Sequence, residues 1–275
     1  MGYKIIVCRR KNYISRTTKE REYKKVQFID LWSPRNKHFE AFFHSFISVI
    51  ILRIKGVKII HAHSFGPGIV IPLAKLLRMN TVLTYHLPNY HQGKWNSFDR
   101  FILKTFEYIA CKFSDKIICV SETNRNIVKR CSGKDSVYIR NGVNVPAETY
   151  PDISKFNVQK KKYILAACRL VPEKGLHILI DAFLRLKTDW NLVIAGGADH
   201  KSQYVQDLHD KAEKNKQIIF TGILTGMDLG CIFQNAGLFV LPSFIEGQPI
   251  SLLEAMSFGL PFIVSDIPAH RELHL

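Results

Sequence analysis

Short β-branched apolar runs alternate with longer amphipathic stretches from one end of this 275-residue chain to the other. No other feature narrows its fold as much. Strands that are apolar throughout and separated by helices pack as parallel sheets covered on both faces, not as hairpins. Lys4–Cys8, Val26–Leu31, Val57–His61, Thr81–Tyr85, Lys116–Ser121 and Val137–Arg140 read as strands, with helices over Glu40–Ile54, Ile69–Leu77, Phe98–Phe113 and Glu122–Lys129. The rhythm then stops. Val145–Lys162 is polar, carries two prolines and ends in a lysine run, the composition of an interdomain linker. It resumes with strands Tyr163–Cys168, Asn191–Ala195, Ile218–Thr221, Leu238–Leu241 and Phe262–Ser265. Helices over Gly175–Leu186, Gln203–Lys214, Met227–Gln234 and Ile250–Phe258 separate them. The expectation is two Rossmann-like α/β domains, 1–146 and 163–275, joined by a linker over 147–162.

A chain of this length can hold two domains that each bury a core. The opening MGYKIIVCRRKNY places charges after a short apolar run, the reverse of a secretory signal. The most apolar segment, Ala41–Leu52, is interrupted by His44, Ser45 and Ser48 and falls short of the ~20 residues that cross a bilayer. It reads as a buried helix, with a membrane-surface helix as the alternative. Six cysteines with no CxxC pair fit reduced thiols in a cytoplasmic protein and argue against a zinc site.

The net charge of +16 lies wholly in the first half: residues 1–148 hold 26 Lys/Arg against 10 Asp/Glu, whereas 149–275 hold 13 of each. Such asymmetry points to an anionic partner, either a membrane surface or an acidic substrate, or simply to a basic solvated surface. Nucleic acid is disfavoured, because no zinc-finger or RNA-recognition signature accompanies the charge.

Candidate chemistry concentrates in the second half. In Pro242–Gly259, PSFIEGQPISLLEAMSFG, Pro249 stands where a helix begins and Gly259 just past its end. Such a helix follows a buried strand, so its N-terminus lies at the carboxyl edge of the sheet, where ligands bind. Free N–H groups at Ile250 and Ser251 suit phosphate. Glu246 and Glu254 flank that start and suit sugar hydroxyls, unless they are two solvated acids. Arg169 and Lys174 lie on the loop after the first strand of this half, where two cations could neutralise a diphosphate or merely decorate a Pro-Gly turn. Gly196-Gly197 and Thr221-Gly222 end strands where backbone approaches something closely, yet neither forms the GxGxxG of a dehydrogenase. In the first half His61 and His63 share a strand face, a conceivable metal pair without an obvious third ligand, and His86 opens a polar, aromatic loop over Tyr85–Trp95.

Taken together these residues resemble the retaining glycosyltransferase family four, of the two-domain GT-B fold. Glu246-Gly-Gln-Pro-Ile-Ser-Leu-Leu-Glu254 is similar to that family's E-x7-E motif. His61-Ala-His63, His86, Val120-Ser-Glu, Asn141-Gly-Val, Arg169…Lys174-Gly and Gly196-Gly precede it in the family's order. YHLPNYHQGKW and NKHFEAFFHS are most similar to bacterial members that build surface polysaccharides, rhamnosyltransferase-like ones among them.

The resemblance implies a nucleotide-diphosphate-sugar donor used as substrate, with no cofactor and no metal. Arg169 and Lys174 would bind the diphosphate, Glu254 the ribose and Glu246 the transferred sugar. The amides of Ile250 and Ser251, with Gly222 nearby, would complete the donor site, and His86 would position the sugar. The acceptor would be a glycan or a polyprenyl-diphosphate-linked glycan at the inner membrane face. Set against the family, one βα unit before Gly2 and the helices after Glu272 are expected to be missing, so both domains are expected to be incomplete. An inactive remnant that only binds nucleotide sugar is therefore one alternative, and a sugar-nucleotide epimerase of the same architecture is another.

Overall fold

The computed structural model describes residues 2–14, 21–34, 40–87, 97–144, 152–198, 202–213 and 215–273. The chain divides into two compact units, Met1–Ile139 and Arg140–Leu275.

The first unit carries two sheets. β1 (Ile5–Arg10), β2 (Glu22–Tyr23) and β3 (Val26–Leu31) form one, in the order β1-β3-β2. β1 runs parallel to β3, but β2 turns back antiparallel through Lys24 and Lys25, both at positive φ. An all-parallel sheet is thus not what forms here. At two residues, Glu22 and Tyr23, β2 is too short to show an alternation, so it is invisible to hydrophobic patterning. After α1 (Glu40–Ile54) come β4 (Ile59–His63), α2 (Phe65–Gly68), α3 (Ile71–Leu76), β5 (Asn80–Tyr85), α4 (Ser97–Phe113), β6 (Lys116–Cys119), α5 (Glu122–Ser132) and β7 (Val137–Tyr138). β4-β5-β6-β7 form a parallel sheet in chain order. The expected helix over Ile69–Leu77 is present as α3, Ile71–Leu76, and a further short helix, α2 over Phe65–Gly68, precedes it. α5 is well delimited: the Ser121 hydroxyl accepts from the Asn124 amide, and Gly133 closes the helix in the left-handed region.

Ala41–Leu52 is not the buried helix its composition suggests. Ser45, Ser48, Val49 and Leu52 face inward, with both hydroxyls donating to carbonyls one turn back, whereas Phe42, Phe43, Phe46 and Ile50 face solvent. Among the described residues no helix is long and apolar enough to cross a membrane.

The second unit holds β8 (Tyr163–Ala167), α6 (Leu176–Phe183), β9 (Asn191–Ala195), α7 (Gln203–Ala212), β10 (Ile218–Gly222), α8 (Gly226–Gln234), β11 (Leu238–Leu241), α9 (Ile250–Ser257), β12 (Phe262–Val264) and α10 (Pro268–Arg271). Its five strands are parallel, in the order β10-β9-β8-β11-β12. Alternate residues of β8 feed opposite cores: Leu165 and Ala167 pack with Phe233 and Phe239, and Ile164 and Ala166 with Leu176, Ile180 and Phe183. Burial on both faces explains why β8 is apolar at every position. The chain builds outward from β8 to β10 and then returns to β11, so strand order reverses between β8 and β11. At such a switch point a crevice opens at the carboxyl ends of the strands. Of the segment expected as linker, 145–151 lies outside the described residues, while Ile153 and Val158 are buried in the core of the second unit.

Candidate functional site

The carboxyl edge of the second sheet is stitched together by backbone. The amide of Cys168, just past β8, donates to the Ala195 carbonyl at 3.0 Å, that of Leu170 to Gly197 at 2.9 Å, and that of Gly196 to Gly222 at 2.9 Å. Glycine is required in this stitching. Gly196 has φ 148°, and a Cβ there would lie 1.9 Å from the Cys168 carbonyl oxygen. Gly175 has φ 66°, and a Cβ there would lie 2.2 Å from the Pro242 carbonyl oxygen. That close approach sets the turn after β8 against the loop after β11, where the Phe244 amide donates to the Glu173 carbonyl at 2.9 Å.

These strand ends enclose a cavity of about 270 Å³. Cys168, Gly196 and Gly197 line one side, Ile223, Leu224 and Leu229 form an apolar wall, and Arg169, Ser251 and Glu254 bring polar groups to it. Glu254 is half-buried, and loss of solvent raises its pKa. α9 enters behind Pro249, whose carbonyl accepts from the Leu253 amide at 3.3 Å. The amides of Ile250 and Ser251 thus occupy the positively polarised end of a helix. The loop before α9 is fixed from a distance in sequence. Buried Gln248 accepts from the Asn141 amide through its Oε1, and its carbonyl accepts from Asn141 Nδ2 at 3.1 Å.

Lys174 and Glu246 form an ion pair at 2.5 Å, with side chains only 15% and 7% exposed, and Ser243 Oγ donates to the same carboxylate oxygen at 2.7 Å. Both charges act on Cys168, which lines the cavity. Burial pushes that thiol up to about 12; Lys174 and Arg169 pull it back down, while Glu246 pushes it further up. The thiol therefore stays protonated at neutral pH.

Of the residues singled out from sequence, Arg169, Ser251 and Glu254 share the cavity, and Lys174 and Glu246 share an ion pair whose field reaches it. Ile250 is exposed, and neither it nor Gly222 is among the residues that line the cavity; the Gly222 carbonyl is taken by Gly196. His86 belongs to the first unit. Its Nε2 lies 3.1 Å from His63 Nδ1, its carbonyl accepts from Asn124 Nδ2 at 2.7 Å, and His61 stacks on His63 at 4.5 Å. Burial lowers the pKa of all three imidazoles, so they are mainly neutral at neutral pH. Among the described residues no cluster of three or more His, Cys, Asp or Glu could hold a metal ion. The loop that follows His86 lies, over 88–96, outside the described residues. Sequence reasoning missed Ser243, the Asn141–Gln248 clamp and the apolar wall. The Ile223-Leu224 pair directly after a strand-ending glycine was the available signal for that wall.

The second unit is thus an open parallel α/β sheet that gathers a cation, a carboxylate and a helix start at its switch point. The chain belongs to the glycosyltransferases: Glycosyltransferase Family 4 matches residues 1–146, and Glycosyl transferases group 1 matches residues 151–274. An uncharacterized glycosyltransferase of Methanocaldococcus jannaschii is 30% identical over 242 residues, which is 81% of this chain and 61% of that protein. The N,N'-diacetylbacillosaminyl-diphospho-undecaprenol alpha-1,3-N-acetylgalactosaminyltransferase of Campylobacter jejuni is 28% identical over 189 residues, or 64% and 48% of the two chains. The chain thus spans only about half to three fifths of the length of these relatives. Among solved structures, sucrose-phosphate synthase from Thermosynechococcus elongatus superposes with a TM-score of 0.79 at 20% identity, covering 97% of this chain and 72% of that one. Anabaena HepE in complex with UDP and glucose gives 0.73 at 19% identity, covering 90% and 70%. The fold of both units is accordingly that of GT-B glycosyltransferases.

Proposed function

We propose that the chain transfers a sugar from a nucleotide-diphosphate donor to a glycan or a polyprenyl-diphosphate-linked acceptor, with retention of configuration and without metal. The convergence of Arg169, Ser251 and Glu254 on one cavity at the switch point carries this reading. The apolar wall at Ile223, Leu224 and Leu229 suits the face of a nucleobase, and Glu254 suits ribose hydroxyls. The diphosphate then meets the start of α9 and the Arg169 guanidinium, whose fork geometry matches phosphate oxygens.

Glu246, itself held by the Ser243 hydroxyl, fixes the Lys174 ammonium in place before any donor arrives. A cation fixed in advance stabilises the charge that grows on the departing diphosphate without reorganising during the reaction. Leaving-group stabilisation of this kind suits front-face displacement and needs no protein nucleophile. His86, hydrogen-bonded to His63, is assigned to the transferred sugar by the family resemblance. The name of the Campylobacter jejuni relative, with its diphospho-undecaprenol acceptor, supports a lipid-linked acceptor here.

A thermal-shift panel of UDP-, GDP-, ADP- and dTDP-sugars tests the donor site, since a ligand bound only by the folded state raises Tm by mass action. One nucleotide class is expected to raise it, and Arg169→Ala and Glu254→Ala are expected to abolish the shift. A panel with no response, or variants that respond like the parent, would refute the assignment. Nucleotide release that depends on acceptor separates transfer from binding alone, and a changed sugar in the free donor would indicate an epimerase.

A further inference from the structure

The core beside the four-stranded sheet of the first unit contains three thiols, and two of them meet. Cys111 lies near the end of α4 and Cys131 near the end of α5, and the two helices pack against each other. The loops that follow them are clasped, because the Lys134 ammonium donates to the Ser114 carbonyl. Cys111 is fully buried in the core that Phe65, Leu83, Ile117 and Val128 share, whereas Cys131 packs on its rim and is only half-buried. The two side chains are hydrogen-bonded to each other, and the Cys131 thiol donates to the Val128 carbonyl at 3.5 Å. With the Cys131 hydrogen directed there, Cys111 is the donor between the two sulfurs. That order makes the thiols unequal. The Cys111 pKa is raised by its bond to Cys131 and by burial, while the same bond lowers the Cys131 pKa. Glu107, buried and hydrogen-bonded by the Tyr85 hydroxyl, opposes ionisation of both. Cys119, the third thiol, is fully buried and hydrogen-bonded to Ser136 instead.

We propose that Cys131 and Cys111 form a reversible redox pair, which hydrogen peroxide converts to a disulfide linking α4 to α5. Oxidation starts at Cys131, the thiol that solvent reaches. Its thiolate attacks one peroxide oxygen, the O–O bond breaks, and the departing hydroxide takes up a proton to leave as water. Cys131 is then a sulfenic acid, with Cys111 directly behind it. The Cys111 sulfur displaces the hydroxyl group, its own proton leaves with that group as a second water, and the S–S bond forms. The two thiols together lose two electrons and one peroxide gains them. A dithiol reductant reverses the step by thiol–disulfide exchange. The new bond ties α4 to the helix whose Asn124 holds the His86 carbonyl at 2.7 Å. The proposal does not depend on the donor reading.

Brief treatment of the folded full chain with hydrogen peroxide, alkylation of the remaining thiols and peptide mapping by mass spectrometry test it. A disulfide between Cys111 and Cys131 is expected, with the count of alkylatable thiols falling from six to four and returning to six in dithiothreitol. In Cys111→Ser, Cys131 is expected to stop at the sulfenic acid, which dimedone traps. In Cys131→Ser, oxidation of Cys111 is expected to slow by about tenfold or more, since the reachable thiolate is gone. Cys119→Ser, which removes the third thiol of the same core, is expected to form the disulfide as the parent does. Circular dichroism verifies that each variant is folded, and the peptide map of the parent decides the question without them. Cys131 left reduced in the folded chain would overturn the proposal. So would a bond from Cys131 to Cys119 or to a second chain, or a Cys111–Cys131 disulfide that forms only in urea. Because no nucleotide is present, none of these results bears on the donor site.

Discussion

β8 in the second unit is buried at all five positions and feeds a core on each face, whereas β4 in the first alternates buried and exposed residues along its length. The same contrast runs through charge: residues 149–275 are balanced at 13 against 13, and residues 1–148 carry the entire excess. Both units pack apolar cores, but the first also turns the rings of Phe42, Phe43, Phe46 and Phe101 toward solvent. An apolar segment therefore has opposite meanings in the two halves. Substitutions at matched features of each unit separate the consequences.

The largest difference is expected at glycine. Gly196→Ala forces a Cβ into the Cys168 carbonyl at a φ that side chains rarely adopt. Strain and overpacking together should cost about 4 kcal/mol, enough to unfold much of the second unit. Gly133, which closes α5 in the first unit at φ 72°, has open space around it, so Gly133→Ala should cost about 1 kcal/mol from backbone strain alone. Urea unfolding of the two variants measures the gap. Equal losses would mean that the strand ends around the cavity are not tightly stitched.

Ion pairs come next. Lys174→Ala leaves the buried Glu246 carboxylate without its cation, and removing one partner of a buried pair typically costs about 3 kcal/mol. Lys75 and Asp115 in the first unit are partly exposed, so Lys75→Ala should cost no more than about 1 kcal/mol. The double variant Lys174→Ala/Glu246→Ala should be more stable than Lys174→Ala, since it removes the orphaned charge. The cycle also separates a lost cation from a lost fold when turnover falls.

How much of this was legible from the residues differs between the halves for the same reason. In the second unit, strands buried on both faces gave continuous apolar runs, and Asn191–Ala195 and Leu238–Leu241 stand where those runs end. In the first, β2 has no apolar run at all, and α1 is apolar enough on every side that composition alone suggested burial. Only the coordinates show serines inside and phenylalanines outside. At the site, Arg169 and Glu254 could be picked out because their loop and helix start at strand ends. The bond between Lys174 and Glu246, 72 residues apart, could not, because spacing in sequence does not report which loops a sheet brings together.

Carboxylates in the two units should respond to pH with opposite signs. Burial raises the Glu254 pKa, so folding favours its protonated form; that stability is fully present below the unfolded value and is lost as pH rises through the folded one. Glu254→Gln should therefore melt higher than the parent at neutral pH, with the difference closing in acid, while nucleotide affinity falls about tenfold. Asp115 is held below its ordinary value, first by the hydrogen bond from Lys75 and then by the backbone and hydroxyl of Thr81. Its contribution is present above the unfolded value and is lost as pH falls through the folded one. Asp115→Asn should accordingly melt lower than the parent at neutral pH and converge with it in acid. Melting curves across the acid range would show the crossover, and parallel curves for both variants would contradict the assigned environments.

The smallest effect is expected on the outer face of α1. Phenylalanine and serine have similar helix propensities, and the Phe46 ring lies partly in solvent, so Phe46→Ser should change stability by no more than about 0.5 kcal/mol. Leu165→Ala on β8, which removes a fully buried side chain, should cost about 3 kcal/mol. A loss above about 1 kcal/mol at Phe46 would mean that the ring is packed as part of the fold. The apolar stripe would then be structural, and the contrast between an inward-packed unit and an outward-facing one would fail at the helix that defines it.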